Sequence, residues 1–224
     1  MKNLILFVVL SLLLSVSCTA QTKKQETILA QAEVMPVTEA LLVQTETEIK
    51  EEPKKEAMQE VLIETSMGNI TIALYNETPL HRDNFIKLVN DNFYDGVLFH
   101  RIIQGFMIQT GDPDSRNAAK GARLGMGGPG YTIPAEIKPQ FSHKRGAVAA
   151  ARTGDHMNPE RRSSGSQFYI VDNPNGAPHL NGQYTIFGEV ISGMDVVDRI
   201  AAQRKDQADR PLEDIKIISM KMVE

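Results

Sequence analysis

Two runs that combine apolar and β-branched residues, beginning at position 61, predict the first structured element of the chain. Residues 61–66 read Val-Leu-Ile-Glu-Thr-Ser and residues 69–75 read Asn-Ile-Thr-Ile-Ala-Leu-Tyr, and β-branched side chains, which favour strands, recur in both. Met67 and Gly68 separate the runs, and glycine is favoured where a tight turn needs a positive φ. The pattern predicts a β-hairpin over residues 61–75.

Two other segments have the three- and four-residue hydrophobic spacing that is typical of an amphipathic helix. The first begins at Thr78-Pro79, because threonine is favoured at an N-cap and proline at the first helical position, and it continues to about residue 90. The second covers residues 194–201. The apolar stripe of the first segment comprises Phe85, Leu88 and Val89, and that of the second comprises Met194, Val197, Ile200 and Ala201.

Most of the chain between these helices consists of short apolar segments that are separated by Gly, Pro and Asn. A last strand is predicted over residues 215–220, where the alternation is partial. Many short strands with few helices are typical of a β-barrel or a β-sandwich, and the sequence pattern alone leaves both open.

The N-terminus has the pattern of an export signal, which we place over residues 1–20. Lys2 precedes an apolar run over residues 4–14, small residues follow through Ala20, and the run is short for a membrane span. Cys18, the only cysteine, lies just after the run and resembles the lipidated cysteine of a bacterial lipoprotein. We therefore predict an exported protein of the periplasm or cell envelope that is anchored to a membrane through Cys18. Cleavage after Ala20 by the ordinary signal peptidase and an uncleaved membrane anchor are the alternatives.

The next segment, residues 21–60, is predicted to be a charged flexible tether. It contains nine glutamates, five lysines, no glycine and no aromatic residue, so it buries too little apolar surface to offset the entropy of ordering it. A docking segment for another envelope protein is the functional alternative. Residues 61–224 form the predicted domain and hold 18 Lys and Arg against 19 Asp and Glu. This near-neutral balance lacks the basic excess that nucleic-acid binding needs, and no nucleic-acid partner is expected.

The richest chemistry lies in residues 99–112, Phe-His-Arg-Ile-Ile-Gln-Gly-Phe-Met-Ile-Gln-Thr-Gly-Asp. No general acid–base pair and no nucleophile–base pair is evident there, which suits a reaction that moves no proton and breaks no covalent bond. Residues 165–170, Gly-Ser-Gln-Phe-Tyr-Ile, add a second amide and a second aromatic, and residues 180–190 read Leu-Asn-Gly-Gln-Tyr-Thr-Ile-Phe-Gly-Glu-Val.

In their order and spacing these three segments resemble the landmark segments of the cyclophilins, the peptidyl-prolyl cis–trans isomerases, and the resemblance covers about residues 61–223. It implies a mainly β fold, a closed eight-stranded antiparallel β-barrel that is capped by two α-helices. It also implies catalysis of X–Pro rotation in proline-containing polypeptides, a monomer, and no cofactor. Assistance to the folding of exported proteins is the function that we predict, and a non-catalytic proline-peptide-binding module or holdase chaperone is the alternative.

Rotation about an X–Pro bond is slow because resonance gives the C–N bond double-bond character, with a barrier of about 18–20 kcal/mol. A catalyst therefore needs a pocket for the proline ring and a donor that favours the twisted amide over the planar one. Arg101 is the predicted donor, since its planar fork stays charged at any working pH, and by resemblance it is directed at the prolyl carbonyl and nitrogen. A surface arginine in an ion pair is the alternative interpretation.

The resemblance also implies a set of residues around the proline. Strict strand alternation would place Phe106 and Met107 on opposite faces, whereas the resemblance places both in the pocket, and we follow it. Gln109 joins Arg101 as a catalytic residue, and the two amides Gln109 and Gln167 are expected to bond the substrate backbone. The predicted substrate-binding residues are Phe106, Met107, Ala151, Gln167, Tyr169, Leu180 and Tyr184, of which Ala151 represents a strand whose backbone binds the residue before proline.

The sequence departs from the family pattern at several positions. His179 stands where many eukaryotic members have tryptophan, which puts cyclosporin sensitivity in doubt. Arg152 replaces a frequent asparagine, and residues 153–164 form a loop that is longer than in compact members. Arg161 and Arg162 in this loop are more simply read as solvated than as determinants of substrate choice.

Two patterns in the sequence do not carry the chemistry that they resemble. Residues 125–130 match the letters of a dinucleotide-binding loop, but an extended segment follows where that loop needs a helix. The five histidines have no zinc-ligand spacing, so no metal is predicted.

Overall fold

The computed structural model describes residues 57–223 of the 224-residue chain. The predicted signal peptide, with its lipidation site at Cys18, lies outside the described residues, as do residues 21–56 of the predicted tether. The first strand begins at Gln59, so regular structure starts two residues before the boundary that the sequence predicted at residue 61.

The predicted hairpin is confirmed as strands β1 (Gln59–Thr65) and β2 (Gly68–Leu74). Its register pairs Thr65 with Gly68 at the turn. The hydroxyl of Thr65 donates to the carbonyl of Gly68 at 2.6 Å and accepts from the amide of Met67 at 3.0 Å. Gly68 has a φ of 125°, a value that side chains with a Cβ rarely adopt, so the turn depends on glycine here.

Eight strands form one antiparallel sheet, and two short strands form another. The strands of the large sheet after the hairpin are β3 (Arg101–Ile103), β4 (Met107–Thr110), β6 (Ala147–Ala150), β8 (Phe168–Val171), β9 (Ile186–Ser192) and β10 (Ile217–Met222). The small sheet joins β5 (Thr132–Ile133) to β7 (Ser163–Ser164). The strands of the large sheet follow the neighbour order β10-β1-β2-β9-β6-β8-β4-β3. The strand predicted over residues 215–220 is β10, which begins and ends two residues later.

Closure of the predicted barrel is not confirmed. The neighbour order ends at β3 and β10 without joining these two strands. Residues just before β3 meet the chain around the start of β10 instead: the amide of Phe99 donates to the carbonyl of Ile215, and the amide of Ile217 donates to the carbonyl of Val97, both at 2.9 Å. The structure is therefore an eight-stranded antiparallel sheet with its two edges near each other.

Both predicted helices are present, as α1 (Pro79–Asn90) and α2 (Met194–Ala201). Thr78 precedes α1 as predicted, but its side chain makes no capping bond. The carboxylate of Glu136, far along the chain, instead accepts from the amides of Leu80 at 3.2 Å and His81 at 2.9 Å, where the positive end of the helix dipole favours an anion. Neither α1 nor α2, the α-helices of the described residues, has the length and apolar composition needed to cross a membrane.

The sheet carries hydrophobic clusters on both faces. The larger cluster combines inward side chains of most strands with the apolar stripes of both helices, and includes Ile102, Ile108 and Ile170 from three neighbouring strands. The smaller cluster lies on the opposite face of β4, β6 and β8 and includes Met107, Ala149 and Tyr169. Strands β6 and β8 are consequently buried at every position. This second, outward cluster supports the candidate site.

The segment after β4 is anchored by a buried carboxylate that lies beside a buried histidine. Asp112 has no solvent-exposed surface, and its oxygens accept from the amides of Asp114, at 2.9 Å, and Gly125. His100 is 5 % exposed, and neither of its ring nitrogens has a hydrogen-bond partner among the described residues. Because burial disfavours the charged imidazolium, the pKa of His100 is lowered to about 4.

Three buried histidines should make the stability of this domain depend on pH. Burial lowers the pKa of His81, His100 and His143, so the unfolded chain binds protons at a higher pH than the folded chain. Their stabilising effect is complete above about pH 6.5 and is lost as the pH falls toward 4. His100 alone should lower the free energy of unfolding by about 3 kcal/mol over that range.

Urea unfolding at pH 4, 5, 6 and 7 measures this slope. His100→Leu should flatten the slope, whereas His156→Leu, at an exposed loop position, should leave it as in the wild type. Equal slopes in the wild type and His100→Leu would contradict the assignment.

Candidate functional site

The register of the sheet places the predicted catalytic residues in one row. Arg101 on β3 is paired directly with Gln109 on β4, Gln109 with Tyr169 on β8, and Tyr169 with Ala149 on β6. Directly paired residues project from the same face of an antiparallel sheet, and residues two positions apart in a strand share that face. Met107 therefore joins the row from β4.

A cavity of about 120 Å³ opens over this row. Eight of the nine site residues predicted from the sequence line it, the exception being Gln167, and the side chain of Arg152 is an addition that the sequence did not predict. The lining residues are Arg101, Phe106, Met107, Gln109, Ala151, Arg152, Tyr169, Leu180 and Tyr184.

Phe106 and Met107 both reach the cavity because only one of them belongs to a strand. Met107 begins β4, whereas Phe106 lies in the preceding turn, where its amide donates to the carbonyl of Ile103 at 2.9 Å. Gly105 in that turn has a φ of 71°, and its amide donates to the Asp172 carboxylate at 2.7 Å. Strict alternation thus does not apply at Phe106. Met107 is only 1 % exposed, so it is also a core residue.

Arg101 is held at the rim of the cavity by two contacts and remains accessible. Its Nη1 donates to Oε1 of Gln109 at 3.4 Å, and its Nε lies 3.8 Å from a carboxylate oxygen of Asp209. The side chain is 41 % exposed, so most of its donors can meet a ligand. Asp209 belongs to the loop after α2, and its carboxylate also accepts from Nζ of Lys205 at 2.7 Å. The negative charge of Asp209 is therefore shared between Lys205 and Arg101.

A chain of side-chain amides continues from Arg101 away from the cavity. Nε2 of Gln109 donates to Oε1 of Gln167 at 3.1 Å, and Nε2 of Gln167 donates to the carbonyl of Gly127 at 2.8 Å. Each amide thereby has its oxygen and nitrogen assigned by its neighbours. Gln167 is 5 % exposed, and its place in this chain makes it a support for Gln109 and for the glycine loop, which we define as residues 125–130.

Tyr169, which lines the cavity, belongs to a hydrogen-bonded trio with His143 and Asn181, of which His143 and Tyr169 are buried and Asn181 is exposed. Oδ1 of Asn181 accepts from both the backbone amide and Nδ1 of His143, at 2.8 and 2.9 Å. Nδ1 therefore carries the proton, and Nε2 of His143 accepts from the hydroxyl of Tyr169 at 2.9 Å. Burial lowers the pKa of His143 and raises the pKa of Tyr169, so both stay neutral. The trio fixes the ring of Tyr169 as the aromatic wall of the cavity.

The far wall is built by Tyr184 and Arg152. The Arg152 guanidinium lies over the Tyr184 ring at 4.5 Å from its centroid, which is the geometry of a cation–π contact. Nε of Arg152 donates to the carbonyl of Gln183 at 3.0 Å, so the guanidinium is fixed in place. Tyr184, which the sequence predicted as a substrate-binding residue, thus packs against Arg152.

The backbone of Ala151 is already paired within the protein. Its amide donates to the carbonyl of Gln167 at 2.9 Å, and its carbonyl accepts from the amide of Ser164 at 2.8 Å. A peptide that lies along this segment would therefore find its backbone partners at the next residue, Arg152. Ala151 contributes a small side chain that leaves the cavity open.

Leu180 lines the cavity, and its neighbour His179 lies beside Phe106, another lining residue. Leu180 and His179 belong to a short 3₁₀-helix, Pro178–Leu180, and Leu180 packs against the outward hydrophobic cluster. The ring of His179 lies 5.7 Å from that of Phe106. A smaller imidazole thus stands at the position where many eukaryotic members of the resembled family have an indole.

A second and larger cavity, of about 600 Å³, adjoins the first. The two share Gln109, Ala151 and Arg152 as a common wall. The second cavity is otherwise lined by the glycine loop and by residues of the small sheet and its neighbours, including Thr132, Arg162 and Ser164. Gln167, which the sequence analysis assigned to the proline pocket, lines this second cavity.

Known proteins resemble the chain throughout the described domain. The family model described as cyclophilin type peptidyl-prolyl cis-trans isomerase/CLD matches residues 60–222. The peptidyl-prolyl cis-trans isomerase-like 1 of Aspergillus fumigatus is 40 % identical over 170 residues, which cover 74 % of this chain and 96 % of the relative. The peptidyl-prolyl cis-trans isomerase ppi1 of Schizosaccharomyces pombe is 39 % identical over 166 residues, 72 % of this chain and 97 % of that protein.

A solved structure is similar as well. A cyclophilin-type peptidyl-prolyl cis-trans isomerase of Cryptosporidium parvum, crystallised in the presence of the dipeptide Ala-Pro, has a TM-score of 0.63 and 29 % sequence identity, and the similarity covers 74 % of this chain and 99 % of that one.

The hydroxyl of Tyr169 should contribute measurably to the free energy of unfolding. Tyr169→Phe leaves the buried Nε2 of His143 without a partner and should lower the free energy of unfolding by about 1–3 kcal/mol. Tyr184→Phe is the matched control, because no hydrogen bond among the described residues involves the Tyr184 hydroxyl, and should change it by less than about 0.5 kcal/mol. Urea unfolding at pH 7 compares the two, and equal losses would contradict the role given to the trio.

Proposed function

We propose that this chain, which belongs to the cyclophilin-type peptidyl-prolyl cis–trans isomerase family, accelerates rotation about X–Pro bonds in polypeptides that place a proline in the smaller cavity. The single observation that carries the proposal is the position of Arg101, an accessible planar cation at the rim of an aromatic and aliphatic cavity. The cavity volume of about 120 Å³ is that of about four water molecules, which suits the few heavy atoms of a pyrrolidine ring.

The apolar part of the cavity binds the ring, and the polar rim acts on the bond. Phe106, Met107 and Leu180 offer apolar surface to the proline, while the rigid Tyr169 ring closes one side. In a planar X–Pro amide the nitrogen lone pair is delocalised into the carbonyl, and twisting the bond localises the pair on nitrogen. A guanidinium donor at that nitrogen therefore gains strength as the bond twists, so Arg101 binds the transition state more tightly than the ground state.

The side-chain amides of Gln109 and Gln167 position the Arg101 guanidinium. The Gln109 oxygen holds one Nη of Arg101, and Gln167 fixes the orientation of the Gln109 amide. No proton changes place in this scheme, and arginine keeps its charge throughout the working pH range. The residues thus act by geometry and fixed charge rather than by acid–base chemistry.

Arg101→Lys tests the proposal, because lysine keeps the charge but loses the planar fork. We expect the full chain to accelerate the cis–trans exchange of a proline peptide, measured by NMR exchange spectroscopy, and Arg101→Lys to lower kcat/KM by roughly 10²-fold. Arg199→Lys, on the exposed face of α2, is the matched control and should retain wild-type exchange rates.

Two results would contradict the proposal. One is equal activity in Arg101→Lys and the wild type. The other is a peptide that is bound without faster exchange, which would favour the non-catalytic proline-peptide-binding module or holdase.

We further propose that the protein is exported and lipid-anchored, and that it assists the folding of exported proteins. Lys2, the apolar run over residues 4–14 and the lone Cys18 support this placement. Mass spectrometry of the mature N-terminus should find a diacylglyceryl-modified Cys18, and Cys18→Ser should abolish the modification. A mature chain that begins at an unmodified Gln21 would contradict the anchor.

A further inference from the structure

The larger cavity is placed to receive the part of a substrate that extends beyond the proline. It shares the wall formed by Gln109, Ala151 and Arg152 with the smaller cavity, so the two cavities adjoin and a bound peptide can continue from one into the other. An extended chain advances about 3.3–3.6 Å per residue, which brings side chains within about three residues of the proline into reach. The volume of the larger cavity, about 600 Å³, accommodates a long side chain.

The lining of this larger cavity is cationic. Two arginines, Arg152 and Arg162, contribute to it, and none of its lining residues is Asp or Glu. Asp112 and Asp114 lie behind Gly127 of the glycine loop. The Asp112 carboxylate is engaged by two backbone amides, which weakens its repulsion toward an anion in the cavity.

Arg162 is held in a fixed position beside the cavity. Its Nε donates to the Thr132 hydroxyl at 2.7 Å, and its Nη2 donates to the Thr132 carbonyl at 2.9 Å. Asn158 binds the backbone of Arg162 on both sides, accepting from its amide at 3.0 Å and donating to its carbonyl at 2.7 Å. The side chain is therefore pre-organised, and little rotamer entropy remains to be lost when it binds a ligand.

The charge of Arg162 is less compensated than that of Arg152. Arg152 bonds Asp155 directly and packs on Tyr184, with its side chain only 3 % exposed. The nearest carboxylate to Arg162 is that of Glu160, 3.9 Å away and 76 % exposed, which is a weak, solvent-screened contact. The Arg162 side chain is itself 37 % exposed, so an incoming anion can reach it.

From these observations we propose that Arg162 makes the larger cavity a subsite for an acidic side chain of the substrate, within about three residues of the proline. The inference rests on the proposed function, since the smaller cavity must hold the proline for the peptide to reach Arg162. The loop over residues 153–164, read from the sequence as solvated, thereby selects substrates.

Peptides that differ in one side chain test the subsite on the full, unmodified chain. Glu, Gln or Lys is placed singly at each of the three positions on either side of one proline, and kcat/KM is measured by exchange spectroscopy. At one or more positions Glu should exceed Gln by about 3- to 10-fold, as for a partly exposed charge-assisted hydrogen bond. Lys should fall below Gln, and the preference should shrink as NaCl is raised.

Variants then assign the preference to one arginine. The Glu-to-Gln ratio should fall to near one in Arg162→Gln and be partly kept in Arg162→Lys. Arg161→Gln is the matched control, because it removes the same charge from the same loop. The guanidinium of Arg161 bonds Asp155 and the Gly182 carbonyl, and Arg161 does not line the cavity. The Arg161→Gln variant should therefore keep the wild-type Glu-to-Gln ratio.

A Glu-to-Gln ratio of kcat/KM near one at every position in the wild type would overturn the subsite. A ratio in Arg162→Gln equal to that of the wild type would also overturn it. Either result would leave isomerisation of the Gln peptides intact, whereas failure of the proposed function would abolish exchange in all peptides. The two failures are therefore distinguishable.

Discussion

The register between β3, β4 and β8 is the constraint on which both the core and the candidate site depend. Ile102, Ile108 and Ile170 pair with one another across these strands and project into the main hydrophobic cluster. The residues one position away therefore project from the opposite face, which brings Arg101 and Gln109 together there. A slip of one residue would exchange the two faces and place a guanidinium in the core. Burial of three isoleucines thus fixes the position of Arg101, the arginine that we propose to be catalytic.

Polar side chains then convert this row into a rigid site. The amide chain from Arg101 to the glycine loop and the trio of Asn181, His143 and Tyr169 are both hydrogen-bonded throughout, and His143 and Tyr169 are buried. Satisfied networks of this kind hold each side chain in one orientation, which differential binding of a twisted amide requires. Gln109 belongs both to this amide chain and to the wall that the two cavities share. In the proposed mechanism the residue that positions Arg101 therefore also lies beside the path of the peptide toward Arg162.

Features with a local sequence pattern could be predicted, whereas contacts between distant segments could not. The hairpin was predicted from β-branched residues and its turn glycine, and both helices were predicted from hydrophobic spacing. The three segments that resemble the cyclophilins predicted most of the cavity lining. Glu136 at the start of α1 and the His143–Asn181 pair were missed, because a single polar residue far along the chain leaves no periodic signal. The side chain of Arg152 was missed because the family pattern has asparagine at this position and does not indicate what an arginine there would contact. Barrel closure was inferred from resemblance alone, and the two edge strands share no ladder.

The central claim is that a guanidinium at the rim of an apolar cavity acts on a bound X–Pro bond. Its most direct measurement is an NMR titration of the isotope-labelled full chain with a short proline peptide, recorded together with exchange spectra of the peptide. The account predicts that the Nε–H resonance of Arg101 and the side-chain amide of Gln109 shift on binding, while cis and trans peptide signals exchange faster. Faster exchange without a shift at Arg101, or a shift at Arg101 without faster exchange, would contradict it.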